Sequence, residues 1–371
     1  MGRFQLMKFS ISKEDFLAAL QQVQHVVSTR TTLPILSNVL LKAGKSGLEL
    51  TTTDLDVGVS GVVGAEVEET GATTLPARRL ATIIRELPAD EVDVTVDEKN
   101  IAHIRSGPSY FKVMGLSAEE FPPLPQFTDS KEFKLEQSVL KECLRKTSYA
   151  ISTDETRYVL NGILCSFKEN MLTMVATDGR RLAMVEQELE FPQSHEVEII
   201  IPTKAVNEIQ RLLGDSGEVI MRASSNQVGF ELGNYHLVSK LIEGNYPNFR
   251  QVIPSETRER IALEREPLLR TLARVSLLLN DKSNSIKLHF GRDNLEVLAS
   301  AADVGEARES LPILYKGTEM TIAFNPEFLM APLRNLVSDE IHLHLIDEIS
   351  PGVVRSGSNF LYVLMPMRVN T

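Results

Sequence analysis

The sequence predicts an α+β chain of three similar domains, each with two helices packed on antiparallel sheet. Three observations carry this: an internal repeat near 124 residues, two stretches of helical periodicity in every repeat, and β-rich segments between and after them. The chain has 371 residues, more than one core ordinarily organises at about 100–200 residues per domain.

The repeat is weak but consistent. Gly47-Leu48-Glu49-Leu50-Thr51-Thr52-Thr53-Asp54 recurs as Asn170-Met171-Leu172-Thr173-Met174-Val175-Ala176-Thr177-Asp178 and again as Asn294-Leu295-Glu296-Val297-Leu298-Ala299, so that Leu48, Leu172 and Leu295 stand 124 and 123 residues apart. Thr74-Leu75-Pro76-Ala77, Ile201-Pro202-Thr203-Lys204 and Ala323-Phe324-Asn325-Pro326 repeat in the same way. Proline and polar residues cluster at 121–126 and 246–256, and such clusters mark seams. They set the expected domains at 7–126, 130–250 and 256–371.

Each repeat opens on a β segment (9–11, 133–135, 260–263). A helix follows, with Phe16, Leu17, Leu20 and Val23 at helical spacing, then Val139, Leu140 and Leu144, then Leu268, Leu269, Leu272 and Val275. Strands come next (39–41, 48–52, 57–63). After the proline block a second helix carries Leu80, Ile83, Ile84 and Leu87, and in the next copy Val206, Ile209, Leu212 and Leu213. Further strands close the unit, as at 92–96, 101–105 and 110–114.

Fifty Asp and Glu against 39 Lys and Arg give a net charge of −11, and 43% hydrophobic with 24% charged residues is an ordinary globular composition. Disorder, collagen and disulfide scaffolds are excluded. No stretch reaches the roughly 18 apolar residues of a membrane span, and the amino terminus lacks a basic region followed by an apolar one. A cytoplasmic protein is expected. Cys143 and Cys165 sit in apolar patterns and read as buried free thiols.

Catalytic motifs are missing. Gly44-Lys45-Ser46 lacks the glycine a phosphate loop needs five residues earlier, where Val39 stands. Gly58, Gly61 and Gly64 lack the dinucleotide spacing and read as bulges or tight bends. His342 and His344 share one strand face but have no third ligand nearby, so no metal or cofactor is expected. Asp54 and Asp178 recur at the same place in two repeats, which fits a turn or cap feature. An enzyme or ligand-binding protein using the carboxylates Asp54, Asp56 and Asp178 is the rival reading, testable by assaying nuclease or nucleotide hydrolysis with divalent metal. Basic residues gather on the expected helices: Arg78, Arg79 and Arg85; Lys141, Arg145 and Lys146; Lys204 and Arg211; Arg270 and Arg274. With acids clustered elsewhere, at 66–69 and 186–190, a polyphosphate-facing surface is expected, its contacts independent of sequence and sensitive to salt.

Asp154-Glu155-Thr156-Arg157-Tyr158-Val159-Leu160-Asn161-Gly162, Ala176-Thr177-Asp178-Gly179-Arg180-Arg181-Leu182 and Tyr362-Val363-Leu364-Met365-Pro366-Met367-Arg368 closely resemble the bacterial DNA polymerase III β-subunit family, the sliding clamps. Thr32-Leu33-Pro34-Ile35-Leu36, Ser106-Gly107 and Glu119-Glu120-Phe121-Pro122 extend the resemblance over nearly the whole chain from about Met7. Met1 to Leu6 stand before the family's usual start. The resemblance implies a clamp fold and a head-to-tail homodimer closed into a six-domain ring. It implies a non-catalytic processivity factor that encircles duplex DNA and tethers the replicative polymerase, the clamp loader and repair polymerases through short peptides.

By resemblance the peptide pocket comprises Arg157, Leu160, Thr177, Gly179, Arg180, Arg181, Leu182, Pro247, Val252, Val363, Met365, Pro366, Met367 and Arg368. Many members have His where Arg180 stands and Arg where Gln251 stands. DNA-facing residues would be Arg30, Arg78, Arg79, Tyr158 and Lys204. The dimer contact would join Phe111 and Val113, with Arg79 at the rim, to Leu277 and Leu278.

Overall fold

A computed structural model of the chain describes residues 7–27, 33–127, 129–280 and 284–368. The first repeat runs β1 (Met7–Ser12), α1 (Lys13–Val23), β2 (Asn38–Gly44), β3 (Gly47–Thr53), β4 (Val57–Val63), β5 (Glu66–Glu69), β6 (Gly71–Pro76), α2 (Ala77–Glu86), β7 (Glu91–Val96), β8 (Ile101–Ser106) and β9 (Ser109–Met114). The second runs β10 (Lys131–Glu136), α3 (Gln137–Thr147), β11 (Gly162–Lys168), β12 (Met171–Thr177), β13 (Arg181–Glu188), β14 (Val197–Pro202), α4 (Thr203–Leu212), β15 (Glu218–Ala223), β16 (Gln227–Leu232) and β17 (Tyr235–Lys240). The third runs β18 (Glu259–Glu264), α5 (Arg265–Val275), β19 (Ile286–Gly291), β20 (Asn294–Ala301), β21 (Gly305–Pro312), β22 (Met320–Phe324), α6 (Pro326–Asn335), β23 (Glu340–Leu345), β24 (Gly352–Ser356) and β25 (Phe360–Leu364).

The three repeats group into two compact units because sheets run across the repeat boundaries. One unit holds 1–141 and 204–241, the other 142–203 and 242–371. The first contains an eight-stranded sheet, β10-β15-β16-β17-β4-β3-β2-β6, and a five-stranded sheet, β5-β1-β7-β8-β9. The second contains an eight-stranded sheet, β14-β11-β12-β13-β25-β24-β23-β18, and a four-stranded sheet, β21-β20-β19-β22. Each eight-stranded sheet joins four strands from each of two repeats. The joins are antiparallel and equivalent: β17 pairs with β4 (Leu237↔Val59) as β25 pairs with β13 (Tyr362↔Ala183).

Every helix leaves a strand within a residue or two, which the caps make abrupt. The Ser12 hydroxyl accepts from the Asp15 amide at 3.0 Å, and Asn325 Oδ1 accepts from the amides of Glu327 and Phe328 ahead of Pro326. The helices bury one stripe against the sheets, with Phe16, Leu20 and Val23 at or near zero exposure. Phe9 meets Phe16 edge-on at 6.1 Å between ring centroids. Cys143 and Cys165 are buried and free, as read from the sequence. Burial pushes the Cys143 thiol up to about 12 and raises that of Cys165 further, so neither is a nucleophile.

The glycines of β4 correct an expectation. Gly58 and Gly61 pair in unbroken register with both neighbouring strands, so neither marks a bulge. They make room instead: a Cβ on Gly61 would stand 2.5 Å from the Tyr235 ring, and one on Gly58 would collide with Leu124. His342 is exposed and His344 half-buried on β23, in line with a partly solvated face. Among the described residues no helix is long and apolar enough to cross a membrane.

Candidate functional site

The site grows from a turn and a sheet face within the second unit. Between β12 and β13, Asp178 Oδ1 accepts from the amides of Arg180 (2.9 Å) and Arg181 (3.1 Å), and the Thr177 hydroxyl donates to the Arg181 carbonyl at 2.6 Å. Gly179 closes this turn at φ +84°, and a Cβ there would lie 2.8 Å from the Arg157 guanidinium. Glycine is required on both counts. Arg157 in turn donates to the Asp178 carbonyl (3.0 Å) and to Asp154 (3.0 Å). Bonds from the Thr156 hydroxyl and Arg157 hold the Asp154 carboxyl below the usual carboxylate range.

The equivalent turn in the first repeat is built the same way. Asp54 Oδ1 accepts from the amides of Asp56 and Val57, and Leu55 stands at φ +81° where Gly179 stands. A leucine there costs about 1–2 kcal/mol. The turn reading of both aspartates is correct, and their free oxygens are engaged too. Asp54 pairs with Lys204, Asp56 with Lys240 at 2.9 Å, and Asp178 with Arg181 at 3.0 Å.

The turn delivers β13 beside β25. Leu182 lies opposite Val363, Met184 opposite Leu361, and the Met365 amide donates to the Arg180 carbonyl at 3.0 Å. The Met367 amide donates to the Ala323 carbonyl at 2.8 Å, so the chain end is tied on both sides of Pro366, past the end of the ladder. Leu164, Val175, Leu182, Met184, Ile200, Val353, Leu361 and Val363 form one apolar face, and Val159, Ile242, Tyr246, Phe249 and Ile253 pack over it. The last three belong to the second seam, which packs on the sheet.

Of the pocket residues read from the sequence, Leu182 and Val363 are this floor and are 2% exposed. Val252 and Met365 offer the open apolar surface, at 48% and 44% exposure. Pro366 and Met367 are half-buried; Pro247, Arg157, Arg180 and Arg368 are exposed around them. Arg181 does not join them. Its neighbour Leu182 is on the floor, so strand alternation sends Arg181 to the other face. There its guanidinium stacks 4.4 Å over Phe328 and its side chain is 14% exposed. Leu160 is buried but lies outside the floor cluster, where Val159 packs instead. Beneath the sheet the Tyr362 hydroxyl donates to the Phe328 carbonyl at 2.7 Å.

The basic helices are less free than their composition implies. Lys141 pairs with Asp215 (2.7 Å), Lys146 with Glu142 (2.6 Å), Arg270 with Glu266 (2.8 Å), Arg274 with Glu309 (2.9 Å), Arg211 with Glu208 and Lys204 with Asp54. Lys204 also donates to the Val26 carbonyl at 3.0 Å, so of the expected DNA-facing set it is committed inward. Arg78, Arg79 and Arg85 are exposed and Arg145 half-buried, and none of them has a carboxylate partner among the described residues. Tyr158 is 59% exposed. Arg30 lies outside the described residues. Of the expected dimer residues Phe111 (38% exposed) and Leu277 (81%) are open and Leu278 is half-buried, but Val113, on the same strand face as Phe111, is only 6% exposed in the isolated chain. Met114, on the opposite strand face, is 65% exposed.

Family models of the DNA polymerase III beta subunit match the chain three times: the N-terminal domain over residues 7–125, the central domain over 134–248 and the C-terminal domain over 250–368. The beta sliding clamp of Chlamydia muridarum is 35% identical over 364 residues, spanning 98% of this chain and all of that protein. The DNA polymerase sliding clamp of Bacillus subtilis superposes with a TM-score of 0.94 at 28% identity, over 98% of this chain and all of that one. A DnaN sliding clamp from Bartonella birtlesii, solved with griselimycin bound, superposes with a TM-score of 0.94 at 35% identity and the same coverage.

Proposed function

The chain belongs to the DNA polymerase III beta subunit family and is a non-catalytic sliding clamp; from this we propose that two copies close head to tail around duplex DNA and hold polymerases by short peptides. The domains are 7–126, 130–250 and 256–371, and the protein works in the cytoplasm with the clamp loader, the replicative polymerase and repair polymerases as its partners.

Strand bookkeeping supports closure. The two eight-stranded sheets leave a five-stranded sheet, β5-β1-β7-β8-β9, in the first repeat and a four-stranded one, β21-β20-β19-β22, in the third, with β9 and β21 each at an edge. Open edges invite pairing. By repeat equivalence β9 corresponds to β17 and β25, and β21 to β4 and β13, which pair in both joins. Carrying either register over gives the same alignment. Phe111 falls opposite Ala307 of the partner subunit, Lys112 opposite Glu306 of the partner subunit, and Tyr110 opposite Arg308 of the partner subunit. Opposite charges meet, which a misregistered or parallel pairing would not give.

Retention on DNA tests the ring. Loaded on nicked circular duplex, the protein stays until the circle is linearised and then runs off the ends. Equal loss from circles and linear DNA overturns encirclement.

Arg78 and Arg79, exposed and without carboxylate partners among the described residues, are the phosphate contacts on α2. Changing both to alanine flattens the dependence of log affinity on log salt by about 2, at roughly one phosphate contact per residue. Folding, checked by thermal melting, stays intact. An unchanged slope would place the DNA elsewhere.

The peptide groove is the apolar floor with Val252, Met365, Pro366 and Met367 at its opening, and Arg157, Arg180 and Arg368 around it. Methionine side chains adapt to several related apolar anchors. The exposed guanidinium groups favour an acidic residue flanking them.

A further inference from the structure

The architecture of the groove occurs a second time, at the seam between the first and second repeats, inside the first unit. The match is residue by residue, because the ladders are in the same register. Leu182↔Val363 corresponds to Gly58↔Val238, Met184↔Leu361 to Ser60↔His236, Val175↔Met184 to Thr51↔Ser60, Leu164↔Ile200 to Leu40↔Thr74, and Val353↔Val363 to Gly229↔Val238. Even the tail contact is reproduced: the Met365 amide donates to the Arg180 carbonyl, and the Lys240 amide to the Asp56 carbonyl at 2.9 Å.

What differs is the chemistry. A floor of eight large apolar side chains becomes Leu40, Thr51, Gly58, Ser60, Thr74, Gly229, His236 and Val238, so most of the large apolar side chains are lost. The open methionine is replaced by Lys240, which pairs with Asp56 at 2.9 Å. The glycines leave two hollows, and the seam's own residues enter them. Leu124 occupies the space a side chain on Gly58 would need, and the Phe127 ring stands 2.6 Å from where a Cβ on Gly229 would be. Aligning Phe121-Pro122 with Tyr246-Pro247 puts Phe127 at the position of Val252. Val252 is 48% exposed, and Val353 stands there in the register position that Gly229 holds in the first seam. A cavity of about 720 Å³ runs beside this segment, floored by polar groups including Lys42, Glu49, Arg222 and Glu231.

We propose that the first seam is a peptide groove permanently occupied by the chain's own segment 121–127, with Leu124 and Phe127 as built-in anchors. Pro122, Pro123 and Pro125 hold the segment extended, so little chain entropy is lost on docking. Tethering presents the anchors at an effective concentration near the millimolar range, which a free peptide at cellular levels does not match. Each chain therefore offers one groove to partners, although the fold builds two. The comparison rests on the peptide reading of the second seam, but the occupancy of the first does not.

The test has two arms on the full-length protein. Gly229→Val refills the hollow and expels Phe127, so chymotrypsin cuts after Phe127 at least tenfold faster than in the wild type while the circular dichroism spectrum is unchanged. Equal cutting, or rapid cutting of the wild type, overturns the proposal. In the second arm Leu124→Ala with Phe127→Ala empties both hollows. The synthetic peptide Phe-Pro-Pro-Leu-Pro-Gln-Phe then binds one per chain by calorimetry and raises the melting temperature, whereas the wild type does not bind it. Binding that is lost when Met365→Ala is added places the peptide in the other groove, and no binding at all shows the hollows are mere packing; either result overturns it. Failure of the second-seam reading would appear separately, as unchanged partner-peptide affinity in Met365→Ala alone.

Discussion

Replacing Leu277 and Leu278 by alanine gives soluble monomers that no longer stay on circular DNA. Leu277 is 81% exposed in the isolated chain, in the turn Ser276–Leu278 that packs beside β21. An exposed leucine beside an open strand edge has only a partner to bury it. Burying a leucine is worth about 1.5–3 kcal/mol, so losing two weakens dimerisation by about 3–6 kcal/mol, or roughly 10²- to 10⁴-fold in Kd. Ring closure depends on that contact twice, so retention on circles falls more steeply than dimer affinity. Sedimentation at micromolar concentration reads the first effect and run-off from nicked circles the second. A variant that sediments as a stable dimer removes these leucines from the interface.

The register carries a check that truncation does not. Lys112→Glu sets two acids opposite each other across the β9–β21 junction, and Glu306→Lys does the reverse. Each alone weakens the dimer, and the double variant recovers it, an exposed pair being worth about 0.2–1 kcal/mol. A structural defect would not be rescued in this way.

The repeat, the helices and most strands were legible in the sequence because each rests on local periodicity. The turns were legible too, since Asp54 and Asp178 each satisfy two amides at short range. Partnering was not. Lys204 and Arg274 read as free cations, yet their carboxylates, Asp54 and Glu309, lie far away in the chain and meet them only through the sheets. Nor was burial along β9 legible: Phe111 and Val113 share a strand face, yet only Val113 is buried in the isolated chain.

The floor of the groove did leave a signal. β11, β12 and β25 are buried at almost every position, whereas β21 alternates strictly between half-buried and exposed. An antiparallel strand with one wet face alternates. Unbroken apolar runs such as Gly162-Ile163-Leu164-Cys165 and Phe360-Leu361-Tyr362-Val363-Leu364 therefore say that both faces are covered, one by the domain's own helices and the other by something else. That second cover is the seam 246–253.

Met365→Ala lowers affinity for a polymerase-tail peptide about 30-fold and leaves dimerisation and retention on circular DNA unchanged. Truncating a central anchor contact costs about 2 kcal/mol or more, which is that factor. Met365 fits the part of anchor because it is 44% exposed with its backbone fixed: its amide is held by the Arg180 carbonyl, and that of Met367 by Ala323. The side chain is thus free to move over a stationary main chain. Its loss opens no cavity in the floor, since Leu182 and Val363 beneath are already covered by their own chain. Stability should change by less than about 1 kcal/mol, as for a half-exposed residue. Val363→Ala is the contrast. It removes a floor side chain that is 2% exposed, so it lowers the melting temperature as well as peptide affinity. A peptide titration and a thermal melt on both variants separate docking surface from core. Unchanged affinity in Met365→Ala, or a fall in its melting temperature as large as that of Val363→Ala, would show that the final residues are packing and that partners dock elsewhere.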